Sequence, residues 1–261
     1  MKYLKYILIL IVCALFLSGC SSSDSVFDVM KNDMEKQKSM NICIISATEN
    51  DSSRSYSAGA SGVIVDKDED GYYALTAAHV VDKKNSKFLI MTVLDPTLSE
   101  YRKEHQISLS EVSKYYDTLS EGEVIYTNPS EDMAIIYFVS DKDLAIADFS
   151  KNYPKKGDPI ITVGSYSEQL DYFYVTTGKI KSDELTTFST NDQYKDNQVL
   201  QHSAFTAEGF SGGGVYDADM KLVGMNIGGG TDVFGRFKYS AMIPCERLKK
   251  CIDESGIEYS E

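Results

Sequence analysis

Glu208-Gly209-Phe210-Ser211-Gly212-Gly213-Gly214 sets one serine inside a glycine-rich turn, directly before an apolar stretch. Glycines there let the backbone reach positive φ and let a carbonyl group approach closely, so that amides beside the serine can converge on one point. A serine so placed suits attack on an acyl group. That chemistry needs an imidazole to take the hydroxyl proton, a carboxylate to orient the imidazole, and donors for the developing oxyanion. Three histidines could serve, His79, His105 and His202, and all precede the serine. Taken alone, the segment also suits a flexible hairpin.

Chain order narrows the choice. Gly209 to Gly213 fits the G-x-S-x-G nucleophile elbow of α/β-hydrolases, but that fold needs its histidine after the serine, which this chain does not have. A subtilisin-like order needs a helix starting at the serine, whereas the glycines followed by Val215-Tyr216 read as a strand. The order His, Asp, Ser remains. Ala74-Leu75-Thr76-Ala77-Ala78-His79-Val80 runs from a strand into a small-residue turn and resembles the T-A-A-H motif of chymotrypsin-like serine proteases. Glu131-Asp132-Met133-Ala134-Ile135-Ile136 resembles their D-x-A-[LIV]-[LIV] motif, and Gly209 to Gly213 their G-x-S-G-G motif.

The resemblance covers about residues 41 to 252 and implies an all-β fold of two six-stranded antiparallel barrels. It implies a triad of His79 as general base and then acid, Asp132 fixing the imidazole tautomer, and Ser211 as nucleophile. The Gly209 and Ser211 amides would form the oxyanion hole. Lys156 to Gly164 resembles the opening of the second barrel in HtrA-type proteases, and Leu222 to Gly229 the substrate-pairing strand of staphylococcal-type glutamyl endopeptidases. Asn226, Ile227, Gly228 and Gly229 would then pair with an extended substrate backbone. Asn226 stands where the glutamyl enzymes carry histidine, Phe210 replaces a small or polar residue, and Phe205 occupies the place of the carboxylate in trypsin-like pockets. The residue before the cleaved bond is therefore left open. The rival implication is a catalytically silent protease-fold binding protein.

The elements that must position these residues are short and β-rich. Six apolar, β-branched runs fall at 42–47, 57–65, 72–76, 88–94, 124–127 and 133–139, and six more at 160–163, 172–180, 198–202, 214–216, 222–227 and 237–242. Turn residues between 141 and 158 separate a first barrel, 41–150, from a second, 151–261. Leu98, Tyr101, His105, Leu109, Val112, Tyr116 and Leu119 recur at helical spacing, so 96–120 reads as a largely helical insertion with His105 packed on its apolar stripe. Pro244, Leu248, Ile252 and Gly256 outline a terminal helix.

Residues 1–20 read as an export signal, with Lys2 and Lys5 before the apolar run 7–17. Leu17-Ser18-Gly19-Cys20 resembles a bacterial lipobox, which implies a lipid on Cys20, a tether over 21–40 and an extracytoplasmic, membrane-anchored domain; an uncleaved anchor is the alternative. Cys43, Cys245 and Cys251 remain, best read as buried free thiols, and no spacing suits a metal site. With 39 acidic and 26 basic residues the net charge is −13, which repels phosphate backbones and argues against nucleic-acid binding. The expected partners are a protein or peptide substrate and the membrane, with no cofactor or metal required.

Overall fold

The computed structural model describes residues 34–50, 53–83, 86–166 and 169–257. Cys20, the 1–20 segment and most of the 21–40 tether lie outside them.

A short helix α1 (Met34–Ser39) leads into six strands: β1 (Asn41–Asn50), β2 (Ser53–Lys67), β3 (Gly71–Thr76), β4 (Ser86–Met91), β5 (Ser120–Asn128) and β6 (Met133–Val139). Between β3 and β4 lies a single-turn helix, α2 (Ala78–Val81). The strands close into a barrel in the order β1-β2-β3-β6-β5-β4, with β1 completing the ring on β4. β1 is apolar on successive positions because both its faces are covered. Ile42 and Ile44 point into the barrel core, while Cys43, Ile45 and Ala47 pack outside it with Leu89, Met91, Tyr115, Tyr116 and Leu119.

That outer layer is the insertion. It consists of α3 (Leu98–His105), a 3-10 turn (Leu109–Glu111) and α4 (Ser113–Tyr116). Thr97 and Glu100 form a capping box at the start of α3, and Gln106 ends the helix in the left-handed conformation. This break corrects the reading of His105. His105 lies off the apolar face: it is exposed, stacked on Tyr101 with its Nδ1 3.0 Å from the Tyr101 carbonyl, and Leu109 is exposed as well, whereas Leu98, Tyr101, Val112, Tyr116 and Leu119 pack on the barrel.

The second sheet comprises β7 (Pro159–Tyr166), β8 (Gln169–Lys179), β9 (Thr186–Phe188), β10 (Asn197–His202), β11 (Gly214–Tyr216), β12 (Leu222–Thr231) and β13 (Phe237–Pro244), in the order β8-β7-β11-β12-β13-β10-β9. It has seven strands instead of six, because β9 adds a short hairpin partner to β10. The sheet curls until its ends meet at an Ile180–His202 bridge, flanked by Lys181 N–H donating to the Gln201 carbonyl and Ser203 N–H to that of Lys179. The molecule is thus all-β, a closed barrel beside a curled half-barrel. Helix α5 (Cys245–Ser255) buries Cys245, Leu248, Cys251 and Ile252 on one face and ends at Gly256, whose φ is 75°. Cys43, Cys245 and Cys251 are buried thiols.

One apolar core runs through both sheets, joining Val63, Leu75 and Ile135 with Ile161, Tyr216 and Ile227. Asn41 stitches the two together. Its buried amide donates to the Gln37 carbonyl at 2.7 Å and to the Tyr216 hydroxyl at 2.8 Å, and its oxygen accepts the Gly214 N–H at 3.0 Å. Truncation would leave these groups dry and unpaired. Asn41→Ala should lower the unfolding free energy by about 2–3 kcal/mol, as read from urea denaturation.

Candidate active site

His79 sits on α2, the turn that ends the strand carrying Ala74, Leu75 and Thr76. Ala77, Ala78, Val80 and Val81 around it are buried, while the His79 side chain keeps 16% of its surface open. Small residues before the imidazole allow this tight passage from strand to helix. Asp132 lies on the turn between β5 and β6, fully buried, with a φ of 53°. Aspartate tolerates this left-handed geometry better than most residues, and a strained acid held in place is a mark of a functional turn.

The buried carboxylate is surrounded by donors. Its Oδ1 accepts the His79 backbone N–H at 2.9 Å, His79 Nδ1 lies 2.8 Å from Oδ2 and 3.0 Å from Oδ1, and the Thr190 hydroxyl donates to Oδ2 at 3.2 Å. The Asp132 carbonyl accepts the Ala78 N–H at 3.1 Å. Against a carboxylate that can only accept, Nδ1 would be the donor, which would leave the Nε2 lone pair free.

Ser211 reaches the same corner from the other sheet through Ser61 and Thr76. Ser61 N–H donates to the Ser211 carbonyl at 2.8 Å, Ser61 Oγ donates to the Gly209 carbonyl at 2.7 Å, and Thr76 Oγ1 donates to the Ser61 carbonyl at 2.7 Å. Thr76 is three residues before His79, so the serine turn is seated against the end of the strand that delivers the imidazole. Gly212 has a φ of 88°, and a Cβ there would lie 1.9 Å from the Ser61 carbonyl oxygen. No other residue fits this seat.

Within the turn the amides divide. Phe210, Gly212 and Gly213 donate to the carbonyls of Ala207, Asn226 and Phe210. Among the described residues, the Gly209 and Ser211 N–H groups have no partner. Phe210 is 3% exposed, its ring packed where a Cβ on Gly164 would fall 2.6 Å away. It seats the turn against Gly164 on β7.

A cavity of about 240 Å³ opens beside Ser211, lined by residues that include Thr206, Glu208, Phe210, Asn226, Gly228 to Thr231, Phe237 and Tyr239. Phe205 is 51% exposed and packs edge-on against Phe237. The residues expected to pair with substrate fall into two groups. Asn226 and Ile227 are fully buried, and both backbone polar groups of Asn226 are engaged by Gly212 and Gly213. Gly228 is half-buried and Gly229 exposed, at the point where β12 has outrun β11.

The Asn226 side chain turns inward, donating to Thr162 Oγ1 and to the Gly213 carbonyl at 3.2 Å, while its oxygen lies 2.9 Å from His202 Nε2. Sequence reasoning set no role on His202, Ser61 or Thr190, since none sits in a recognisable motif, nor on Thr76, which the T-A-A-H motif includes. His202 is fully buried, and burial pulls its pKa down to about 4, so it is neutral above that range. Burial likewise pushes the Cys251 thiol up to about 11, which leaves it protonated and a poor nucleophile.

The profile of the trypsin-like peptidase domain matches residues 60–225, more than half of the chain. Among solved structures, an inactive form of Rv3671c protease is similar with a TM-score of 0.60 at 18% identity, covering 88% of this chain and 95% of that one. An inactive form of a serine-to-alanine mutant of Rv3671c from M. tuberculosis H37Rv gives 0.58 at 17% identity, covering 85% and 89%. At these identities the likeness is one of fold. No curated protein sequence matches the chain.

Because a buried histidine with a depressed pKa resists protonation only in the folded state, its stabilising contribution is complete above the unfolded value of about 6.5. It is lost progressively as the pH falls towards about 4. The wild type should therefore lose up to about 3 kcal/mol across that window relative to His202→Gln, measured by urea unfolding at a series of pH values.

Proposed function

Since the chain belongs to the trypsin-like peptidase domain family, we propose that it is a serine endopeptidase that cleaves peptide bonds through His79, Asp132 and Ser211. The observation that carries this reading is the buried Asp132 carboxylate bound to His79 Nδ1 beside a serine turn with two unpaired amides.

In the proposed reaction, the substrate lies along the open edge of β12 at Gly228 and Gly229, with the side chain before the scissile bond in the cavity. Ser211 Oγ attacks the carbonyl carbon and its proton passes to His79 Nε2. Asp132 stabilises the imidazolium that forms and holds the ring's orientation. The Gly209 and Ser211 N–H groups stabilise the oxyanion, each donor worth about 3 kcal/mol in the transition state. Collapse of the tetrahedral intermediate breaks the C–N bond, His79 gives its proton to the leaving amine, and an acyl-enzyme remains on Ser211. Water, deprotonated by His79, then releases the acid. The low exposure of Phe210, seated against Gly164, supports turnover over a silent binding role, because this departure from the family motif leaves both turn amides unpaired.

The cavity wall combines Thr206 with Phe237 and Tyr239, and among the described residues Glu208 is its one acid. Asn226 is committed to His202 and Thr162. Nothing in this lining provides the cationic partner that a glutamate side chain would need, so the reading does not extend to glutamyl specificity.

The sequence around Cys20 supports placing this activity outside the cell membrane on a lipid anchor, with the tether expected over 21–40 ending at α1, where Gln37 and Met40 are buried in the fold. Cys20→Ala should abolish incorporation of radiolabelled palmitate and release the protein from the membrane fraction; labelling that persists would contradict the anchor. For the activity, a peptide mixture incubated with purified protein and analysed by mass spectrometry should gain new termini. Ser211→Ala and His79→Ala should each reduce their rate of appearance by about 10⁴- to 10⁶-fold. Equal cleavage by wild type and both variants, or none by the wild type, would contradict it.

A further inference from the structure

The second sheet sends a hairpin across to the first barrel that no motif foreshadows. β9 and β10 pair from Thr186↔Val199 to Phe188↔Asn197, and the connecting turn is held by its own bonds. Thr190 N–H donates to the Tyr194 carbonyl at 2.8 Å, and Asn191 Oδ1 accepts the N–H groups of Gln193 and Tyr194 at 2.9 and 3.0 Å. A turn tied this way presents its side chains in fixed positions.

Two of them meet the triad. The Thr190 hydroxyl donates to Asp132 Oδ2, the same oxygen that His79 Nδ1 approaches to 2.8 Å. Tyr194 sets its ring edge-on to the His79 imidazole at 6.1 Å between centroids. The Tyr194 hydroxyl then donates to Asp82 Oδ2 at 3.0 Å, and Gln193 Nε2 donates to the same atom at 2.7 Å. Asp82 is the residue that closes α2, the turn bearing His79. The hairpin thus grips both acids that flank the imidazole, one in sequence and one in space.

We propose that the β9–β10 hairpin is a positioning clamp on the His79–Asp132 pair, with the Thr190 hydroxyl fixing the Asp132 carboxylate and Tyr194 fixing the His79 turn. Neither residue touches the reacting atoms. A buried carboxylate with two donors from one side only can rotate about its Cβ–Cγ bond, and the third donor, from the opposite barrel, removes that freedom. The clamp also makes the relative seating of the two barrels a condition of triad geometry. This inference rests on the serine peptidase reading above and deepens it.

The test is the rate of Ser211 modification by an alkyl fluorophosphonate, in which the serine oxygen displaces fluoride from phosphorus with His79 accepting the proton. Wild type, Thr190→Val, Thr190→Ala and Thr190→Ser are compared, with near-UV circular dichroism reporting the fold of each. Valine keeps the shape of threonine and removes the hydroxyl. The clamp predicts a maximal inactivation rate about tenfold lower in Thr190→Val and Thr190→Ala, an unchanged half-saturating probe concentration, and recovery in Thr190→Ser. A general structural role would not be rescued by serine. Folded valine and alanine variants reacting at the wild-type rate would overturn the clamp alone, as would a serine variant as slow as valine. A wild type that is not modified at Ser211 would overturn the peptidase reading and the clamp with it.

Discussion

A buried carboxylate must be surrounded by donors or it will not stay charged inside a protein, and the arrangement around Asp132 follows from that requirement. Two of its donors come from His79, one from Thr190, and the turn that carries it is held from outside. Arg247 on α5 pairs with Glu131, and Asn128 Nδ2 reaches Glu254 at 3.4 Å. Removing the imidazole, the turn or the hairpin would each expose the same unmet charge. The acid therefore fixes the histidine as much as the histidine satisfies the acid.

The serine turn obeys a different constraint, close backbone approach. Gly212 lies so near the Ser61 carbonyl that a side chain there is excluded, and Ser61 itself spans the barrels by bonding Gly209, Ser211 and, through its hydroxyl, the Ser165 N–H at 2.8 Å. Behind the turn, the Asn226 side chain ties His202 and Thr162 into a buried polar network. The Gly209 and Ser211 amides, by contrast, are unpaired among the described residues. Two open amides on one rigid turn are what the proposed oxyanion site would require.

Much of this was legible in the sequence. The twelve expected strands reappear with boundaries shifted by a few residues, because alternating apolar and β-branched residues bury one face and report it directly. His79 and Asp132 were identified by motif, and the structure joins them by a direct bond. What escaped had no periodic signal. β9 is three residues, Thr-Thr-Phe, within a polar stretch, and Thr190 is an ordinary loop threonine until the chain folds back on Asp132. His105 was misread for the opposite reason: a helical period persisted in the letters across Gln106, where the backbone had already turned left-handed. The orientation of Phe210 depends on the missing Cβ of Gly164, some 46 positions earlier in the chain, a contact that local pattern does not encode.

The proposed activity depends on the tautomer of one ring, in which Asp132 would hold the proton on His79 Nδ1 and leave Nε2 free as the base. Nitrogen chemical shifts of His79 in ¹⁵N-histidine-labelled protein at neutral pH test this directly. The account predicts a protonated, pyrrole-like Nδ1 and an unprotonated, pyridine-like Nε2 in the wild type, with that preference lost in Asp132→Asn. A wild-type ring with its proton on Nε2, or one indifferent to Asp132→Asn, would contradict it.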